Sequence, residues 1–204
     1  MEYIFTFDEV LNPSEINAVH ECGKQLVSKL PRSDVYYRRG KTAVFDPITN
    51  KREYDILFNA YSILLTTKIF PLFEVATQYG AKHTGFEFHT YEPGDVCELH
   101  ADGEIASEAI ADSNNKVLTD IRFASVVLCL SDIAAGGELV FPKQEVSIKS
   151  KKGRVAVFPP HTLFPHFTTP TTERRDVIVT WFAYEKALAV NPSMFAGVYE
   201  PPNK

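Results

Sequence analysis

Three features of this chain have the residue types and spacing to do chemistry around a bound metal ion. His100-Ala101-Asp102 sets an imidazole and a carboxylate two residues apart, and alternate residues of a strand face the same way, so both could aim at one ion. A second imidazole lies in Phe158-Pro159-Pro160-His161-Thr162-Leu163-Phe164-Pro165-His166-Phe167, where His161 and His166 compete for the third place. Two histidines and one carboxylate on one face of a metal leave three positions open, the arrangement in which iron(II) takes a bidentate co-substrate and dioxygen together. Zinc sites usually lack that openness. Arg175 leads into the apolar run Asp176-Val177-Ile178-Val179-Thr180-Trp181, and its planar fork matches a carboxylate. A surface pairing with Glu173 or Asp176 is the alternative.

Elements must carry these groups, and the pattern divides them into helices first and strands after. Asn12-Pro13-Ser14-Glu15 combines a capping residue, a proline suited to the first helical position and a glutamate three residues after the cap. The helix so started runs to about Leu30, with Ile16, Val19, Cys22, Gly23, Leu26 and Leu30 on one face. Pro31 to Glu53 reads as a loop in which Arg32, Arg38, Arg39 and Lys41 outnumber Asp34. It is either a solvated basic loop or a contact for an anionic group on a substrate. Tyr36, Tyr37 and Phe45 there are loop anchors or stacking groups for a proline ring or a peptide. Tyr54 to Tyr79 is helical again, split by Pro71 into two helices.

Beyond Gly80 the runs become short and β-rich: Gly85 to Tyr91, Ile121 to Leu130, Glu138 to Phe141, Glu145 to Ile148, Arg154 to Phe158 and Asp176 to Tyr184. Between Gly103 and Asp120 lies a polar insertion, a candidate lid. The order predicts an α+β chain, with a sandwich or barrel of antiparallel strands braced by N-terminal helices. We divide the chain, 1–204, as one domain: helical support 1–80, β core 81–186 and tail 187–204.

Bulk composition narrows the function classes. With 204 residues and 45% hydrophobic content the chain can bury one substantial core. A net charge of −5 lacks the basic excess that phosphate-backbone binding needs, so no nucleic-acid partner is expected. The apolar runs fall well short of the ~20 residues of a bilayer crossing, and Met1 to Asp8 does not read as a secretory signal. Cys22, Cys97 and Cys129 are odd in number and widely spaced, which suits a reducing cytoplasm.

Taken together the motifs resemble the prolyl 4-hydroxylase-like branch of the 2-oxoglutarate/iron(II)-dependent dioxygenases across roughly residues 86 to 184. Tyr91-Glu92-Pro93-Gly94-Asp95 leading into His100-Ala101-Asp102 is similar to the turn that precedes that family's first two iron ligands. Gly136-Gly137-Glu138-Leu139-Val140-Phe141-Pro142 resembles its hairpin, and Gly153-Arg154-Val155-Ala156-Val157-Phe158-Pro159 its strand before the distal histidine. The resemblance implies a double-stranded β-helix (jelly-roll or cupin-like) core, with His100, Asp102 and His166 as iron(II) ligands. It implies Arg175 as the group binding the far carboxylate of 2-oxoglutarate and Tyr91 as a wall of that pocket. His161 is then a flanking or entrance residue. Where relatives often carry a tyrosine, this chain has Cys129, so Tyr91, Thr180 or water would have to assist Arg175.

The implied reaction is hydroxylation of an unactivated C–H bond, with dioxygen as co-substrate, ascorbate as a candidate reductant, and succinate and carbon dioxide released. A prolyl or other residue in a peptide, a free amino acid or a small metabolite all remain open as substrates. The rival readings are a non-catalytic cupin-like binding protein and a nucleic-acid demethylase on the same scaffold.

Overall fold

The computed structural model describes residues 3–35, 38–73, 81–103, 110–111 and 117–190. In chain order its elements are β1 (Phe5–Phe7), α1 (Pro13–Ser28), β2 (Ser33–Val35), β3 (Arg38–Val44), α2 (Lys51–Leu64), a π-helical turn (Leu65–Ile69), α3 (Phe70–Phe73), β4 (Ala81–His83) and β5 (Glu87–Tyr91). Then follow β6 (Ile110–Ala111), β7 (Val117–Cys129), β8 (Leu139–Phe141), β9 (Val146–Ile148), β10 (Val155–Phe158), β11 (Phe167–Thr168) and β12 (Arg175–Val190). Helix α1 begins as its sequence dictates: the Asn12 side chain accepts from the backbone N–H groups of Ser14 and Glu15, both at 3.0 Å, and Glu15 accepts from the Asn12 N–H at 2.9 Å.

The strands form two antiparallel sheets. The larger runs β1-β10-β7-β12-β5-β3-β2, with β4 beside β12 and β6 beside β7; the smaller is β11-β8-β9. This is the mixed α+β, double-stranded β-helix architecture.

Residue parity explains the layers, because neighbouring residues of a strand point to opposite faces. Phe86, Phe88, Ala124, Val126, Leu128, Val155, Val157, Ile178 and Phe182 pack with Val19, Val27, Leu57, Tyr61, Leu64 and Ile69 from the helices. Their strand neighbours Tyr91, Val127, Cys129, Ala156, Phe158 and Val177 turn inward, toward Leu139, Phe141 and Ile148 of the smaller sheet. The helices therefore seal one face of the larger sheet, and its other face lines the interior of the sandwich. Gly23 sits where α1 crosses the sheet, since a Cβ there would lie 2.1 Å from Phe88 Cδ2.

The expected loop from Pro31 to Glu53 is instead a hairpin joined to the sheet. Strand β3 pairs with β5, from Lys41 against Thr90 to Val44 against Glu87, and α2 starts at Lys51. Its charged side chains hid a strand that is partly solvated, which basic composition alone reads as loop. Phe45 is 1% exposed, a core anchor rather than a stacking surface; Tyr36 and Tyr37 lie outside the described residues. The expected split at Pro71 is absent: the chain stays helical from Lys51 to Phe73, and the wider π turn Leu65–Ile69 just ahead of Pro71 accommodates a residue with no N–H to donate. Strand β7 starts at Val117, inside the expected insertion, and residues 104–109 and 112–116 of that insertion lie outside the described residues. Strand β12 continues to Val190, past the expected edge of the core. Among the described residues no helix is long and apolar enough to cross a membrane.

Candidate metal and co-substrate site

The structure brings His100, Asp102 and His166 together. One ligand atom from each lies within 4.8 Å of the others. The two histidines meet through the backbone: His100 N–H donates to the His166 carbonyl at 3.0 Å, and His166 N–H to the His100 carbonyl at 2.8 Å. Reciprocal bonding of this kind sets two side chains on the same face, and the imidazole centroids are 4.4 Å apart. The strand expected over His100-Ala101-Asp102 is only this single bridge at His100; residues 101–103 are irregular, so Asp102 is aimed by its contacts rather than by strand parity.

Those contacts assign the donor atoms. His100 Nδ1–H donates to the Glu98 carbonyl at 2.8 Å and His166 Nδ1–H to the Phe164 carbonyl at 3.1 Å. Each ring then turns Nε2 toward Asp102 Oδ1, at 3.4 Å and 3.8 Å. Ser125 of β7 donates to Asp102 Oδ2 and fixes the carboxylate, as supporting hydrogen bonds around metal ligands do. Burial raises the Asp102 carboxyl, but the His100 bond, the His166 charge and the Ser125 bond outweigh it and hold the group well below the usual range. Burial would lower His100, yet its bonds to Asp102, Cys97 and the Glu98 carbonyl push it up to about 10; burial keeps His166 low. The cluster is a trap for one positive charge, a proton or a metal ion. Two imidazole nitrogens and one carboxylate oxygen are a donor set that fits iron(II).

A cavity of about 600 Å³ opens beside the triad, within the range of small-molecule sites. It is lined by buried residues, among them Tyr91, Phe158, His166, Arg175 and Val177, and by half-buried Arg38, Glu87, Arg122 and Trp181. Arg175 opens β12 directly opposite Tyr91 of β5, with its guanidinium carbon 5.3 Å from the centre of the tyrosine ring. It is 3% exposed, and its Nε has no hydrogen-bond partner among the described residues. A buried donor left unbonded is costly, so the atom fits a carboxylate arriving in the cavity. The surface pairing falls to Arg174, whose Nε donates to both oxygens of Asp176 at 3.1 Å. The double glycine serves this corner: a Cβ on Gly136 would meet the Pro170 carbonyl oxygen at 2.0 Å, and one on Gly137 would press on Arg175 Cδ at 3.1 Å.

Two expected helpers stand elsewhere. Thr180 is on the helix-facing side of β12, fully buried, donating to the Gly85 carbonyl at 2.5 Å. His161 sits in the turn before β11 and belongs neither to the triad nor to the cavity wall. Sequence reasoning passed over Ser125, His89 and Glu87. The available signal was parity, since Glu87 and His89 alternate with Tyr91 on β5, and Ser125 is the one polar side chain in the apolar run from Phe123 to Leu130.

The sequence profile of the 2OG-Fe(II) oxygenase superfamily matches residues 86–183. No curated protein sequence matches the chain. Among solved structures, the viral collagen prolyl hydroxylase of Paramecium Bursaria Chlorella virus-1, in its 2OG complex, aligns over 90% of this chain and 97% of its own, with a TM-score of 0.66 and 20% identity. A prolyl-4-hydroxylase from Pseudomonas putida aligns over 91% and 94%, with a TM-score of 0.64 and 16% identity. A Trichoplax adhaerens prolyl hydroxylase, in complex with a hypoxia inducible factor oxygen degradation domain peptide fragment, aligns over 97% and 88%, with a TM-score of 0.63 and 16% identity.

Proposed function

We propose that this chain, which the 2OG-Fe(II) oxygenase superfamily profile matches over residues 86–183, uses iron(II) and 2-oxoglutarate, with His100, Asp102 and His166 holding the iron and Arg175 binding the far carboxylate of 2-oxoglutarate. The observation that carries the assignment is the convergence of three donor atoms within 4.8 Å beside a buried, unbonded arginine Nε. The bound pair supplies, with dioxygen, the oxidant that hydroxylates an unactivated C–H bond as succinate and carbon dioxide leave.

The chain's own residues supply position and dryness. The Glu98 and Phe164 carbonyls keep protons on the Nδ1 atoms, so both Nε2 atoms would be left to hold the metal. Ser125 orients Asp102. Arg175, with Tyr91 beneath its guanidinium, sets the direction of the co-substrate. Val127, Leu139, Phe158 and Val177 line the interior with apolar surface that excludes water.

The substrate is a prolyl or other amino-acid residue in a peptide, a free amino acid or a small metabolite; the prolyl hydroxylases among the similar structures, one with a peptide bound, support this range. The net charge of −5 speaks against nucleic acid. One oxygenase domain spans the chain, and a reducing cytoplasm suits its three free thiols. The test is anaerobic loading with iron(II) and 2-oxoglutarate, then admission of oxygen with peptide and amino-acid panels, measuring succinate and a product heavier by one oxygen atom. Succinate formed equally by wild type and Asp102→Ala would overturn the ligand assignment.

A further inference from the structure

Beside the triad the cavity holds a second polar cluster that the iron and 2-oxoglutarate chemistry does not use. His89 and Glu87 lie on the same inward face of β5 as Tyr91, opposite Val177 and Val179 of β12. Arg38 enters from the first residue of β3, held by a backbone bridge to Cys97. His89 Nε2 lies 2.8 Å from Glu87 Oε2, and Arg38 Nη1 lies 3.0 Å from both ring nitrogens. A carboxylate only accepts, so Nε2 carries the imidazole proton, and Arg38 Nη1, equidistant from the two nitrogens, rests against the ring rather than on one lone pair.

The order Glu87, His89, Arg38 is the informative part. An imidazole stands between a guanidinium and a carboxylate that would otherwise neutralise each other. Burial, the largest influence on His89, lowers its basicity and outweighs the bond to Glu87, so the ring is neutral. Burial raises the Glu87 carboxyl, but the His89 bond and the charges of His89, Arg38 and Arg122 leave it below its ordinary value and ionised. The Glu87 side chain is 34% exposed and lines the cavity, so its carboxylate is within reach of a ligand. Arg38 commits Nη1 to the ring and keeps the rest of its fork of donors for the cavity.

Resting on the oxygenase reading above, we infer that Arg38, His89 and Glu87 form a head-group subsite for a free α-amino acid, with Arg38 taking the carboxylate and Glu87 the ammonium group. A separated cation and anion in the cavity lining complement a zwitterion in both signs at once. 2-Oxoglutarate does not fit, because it brings a second anion and no cation to meet Glu87, and buried Arg175 already suits its far carboxylate. A residue inside a peptide fits no better: its neutral amides satisfy neither charge, and a site built around a polar group rejects analogues that lack it.

The experiment is anaerobic calorimetric titration of the protein loaded with iron(II) and 2-oxoglutarate. The ligands are the twenty free L-amino acids, their carboxamides, their N-acetyl forms and the corresponding residue within a capped tripeptide. Fluorescence of Trp181, the chain's one tryptophan and part of the cavity lining, is a second readout. At least one free amino acid binds, and capping either end weakens it tenfold or more. In Arg38→Gln the penalty for the carboxamide falls toward unity while the penalty for N-acetylation persists; Glu87→Gln gives the opposite pattern. Capped and free forms binding alike, or a preference for the tripeptide, would overturn the inference, and the wild-type comparison decides this even if a variant misfolds. Failure here is separable from failure of the oxygenase reading. Succinate released with peptides but not with free amino acids sinks this subsite alone, whereas no succinate with any ligand and no uptake of iron or 2-oxoglutarate sinks the proposed function.

Discussion

His100 and His166, sixty-six residues apart in sequence, bond to each other through both backbone groups, at 3.0 Å and 2.8 Å. That reciprocal pair fixes the spacing of two imidazoles without help from their side chains. Asp102 lies outside that pair; Arg122 Nη1 donates to its carbonyl at 3.3 Å, and Ser125 donates to Oδ2 and leaves Oδ1 for the space between the rings. Ser125→Ala therefore weakens metal affinity by about 10–100-fold, the usual effect of losing a supporting hydrogen bond, whereas Asp102→Ala abolishes binding. Anaerobic titration with a divalent metal measures both, and undiminished affinity in Ser125→Ala would show that Asp102 is held by other means.

Arg175 is buried against Tyr91 with an unbonded Nε. Arg175→Gln removes a charge-assisted pair to an incoming carboxylate, about 2 kcal/mol or roughly thirtyfold in affinity. The effect should appear as a raised KM for 2-oxoglutarate, with metal affinity unchanged. Arg175→Lys keeps the charge and loses the fork, so it falls between the two. A KM left at the wild-type value in Arg175→Gln would remove Arg175 from the co-substrate site.

Asp176 stabilises the fold in a pH-dependent way. Its side chain is 2% exposed and accepts from His20 Nε2 at 2.7 Å and from Arg174 Nε. Burial raises the carboxyl, but those bonds more than compensate, and its folded value lies below the ordinary one. A lowered carboxyl stabilises the fold above the unfolded value of about 3.9, and that contribution disappears as pH falls through the lowered folded value. Asp176→Asn, which removes a buried charge bonded to half-buried His20 and exposed Arg174, costs about 2 kcal/mol near neutrality. Urea melts at pH 7 and pH 3 should show the gap between wild type and variant shrinking in acid; a gap that widens would reverse the sign.

Gly23 tests the helix-sheet contact. Alanine there improves intrinsic helix propensity by about 1 kcal/mol, yet its Cβ would lie 2.1 Å from Phe88. Overpacking costs about 1–3 kcal/mol, so Gly23→Ala is destabilising despite the propensity gain. Because the two residues touch, Gly23→Ala combined with Phe88→Leu loses less than the sum of the single changes. Additive losses in denaturant melts would mean that α1 shifts to make room.

Local chemistry made much of this protein readable in one dimension. The Asn12 cap, the inward and outward parity of β5, β7, β10 and β12, and the chemical identity of the metal-type donors all depend on residues within a few positions of one another. Backbone chirality and the two-residue period of a strand act at that range.

Local spacing left open choices between neighbours that burial makes, and only the family resemblance pointed to His166 and Arg175 beforehand. His166 rather than His161 meets His100 because β11 and the Pro160 to Phe167 turn dock on the small sheet. Arg175 rather than Arg174 enters the cavity because β12 starts opposite Tyr91, leaving Arg174 to Asp176. The basic hairpin around Arg38 reads as loop until it pairs with β5. Pairings between distant segments are selected by the apolar area they bury across the whole sheet, and no window of local sequence contains that sum.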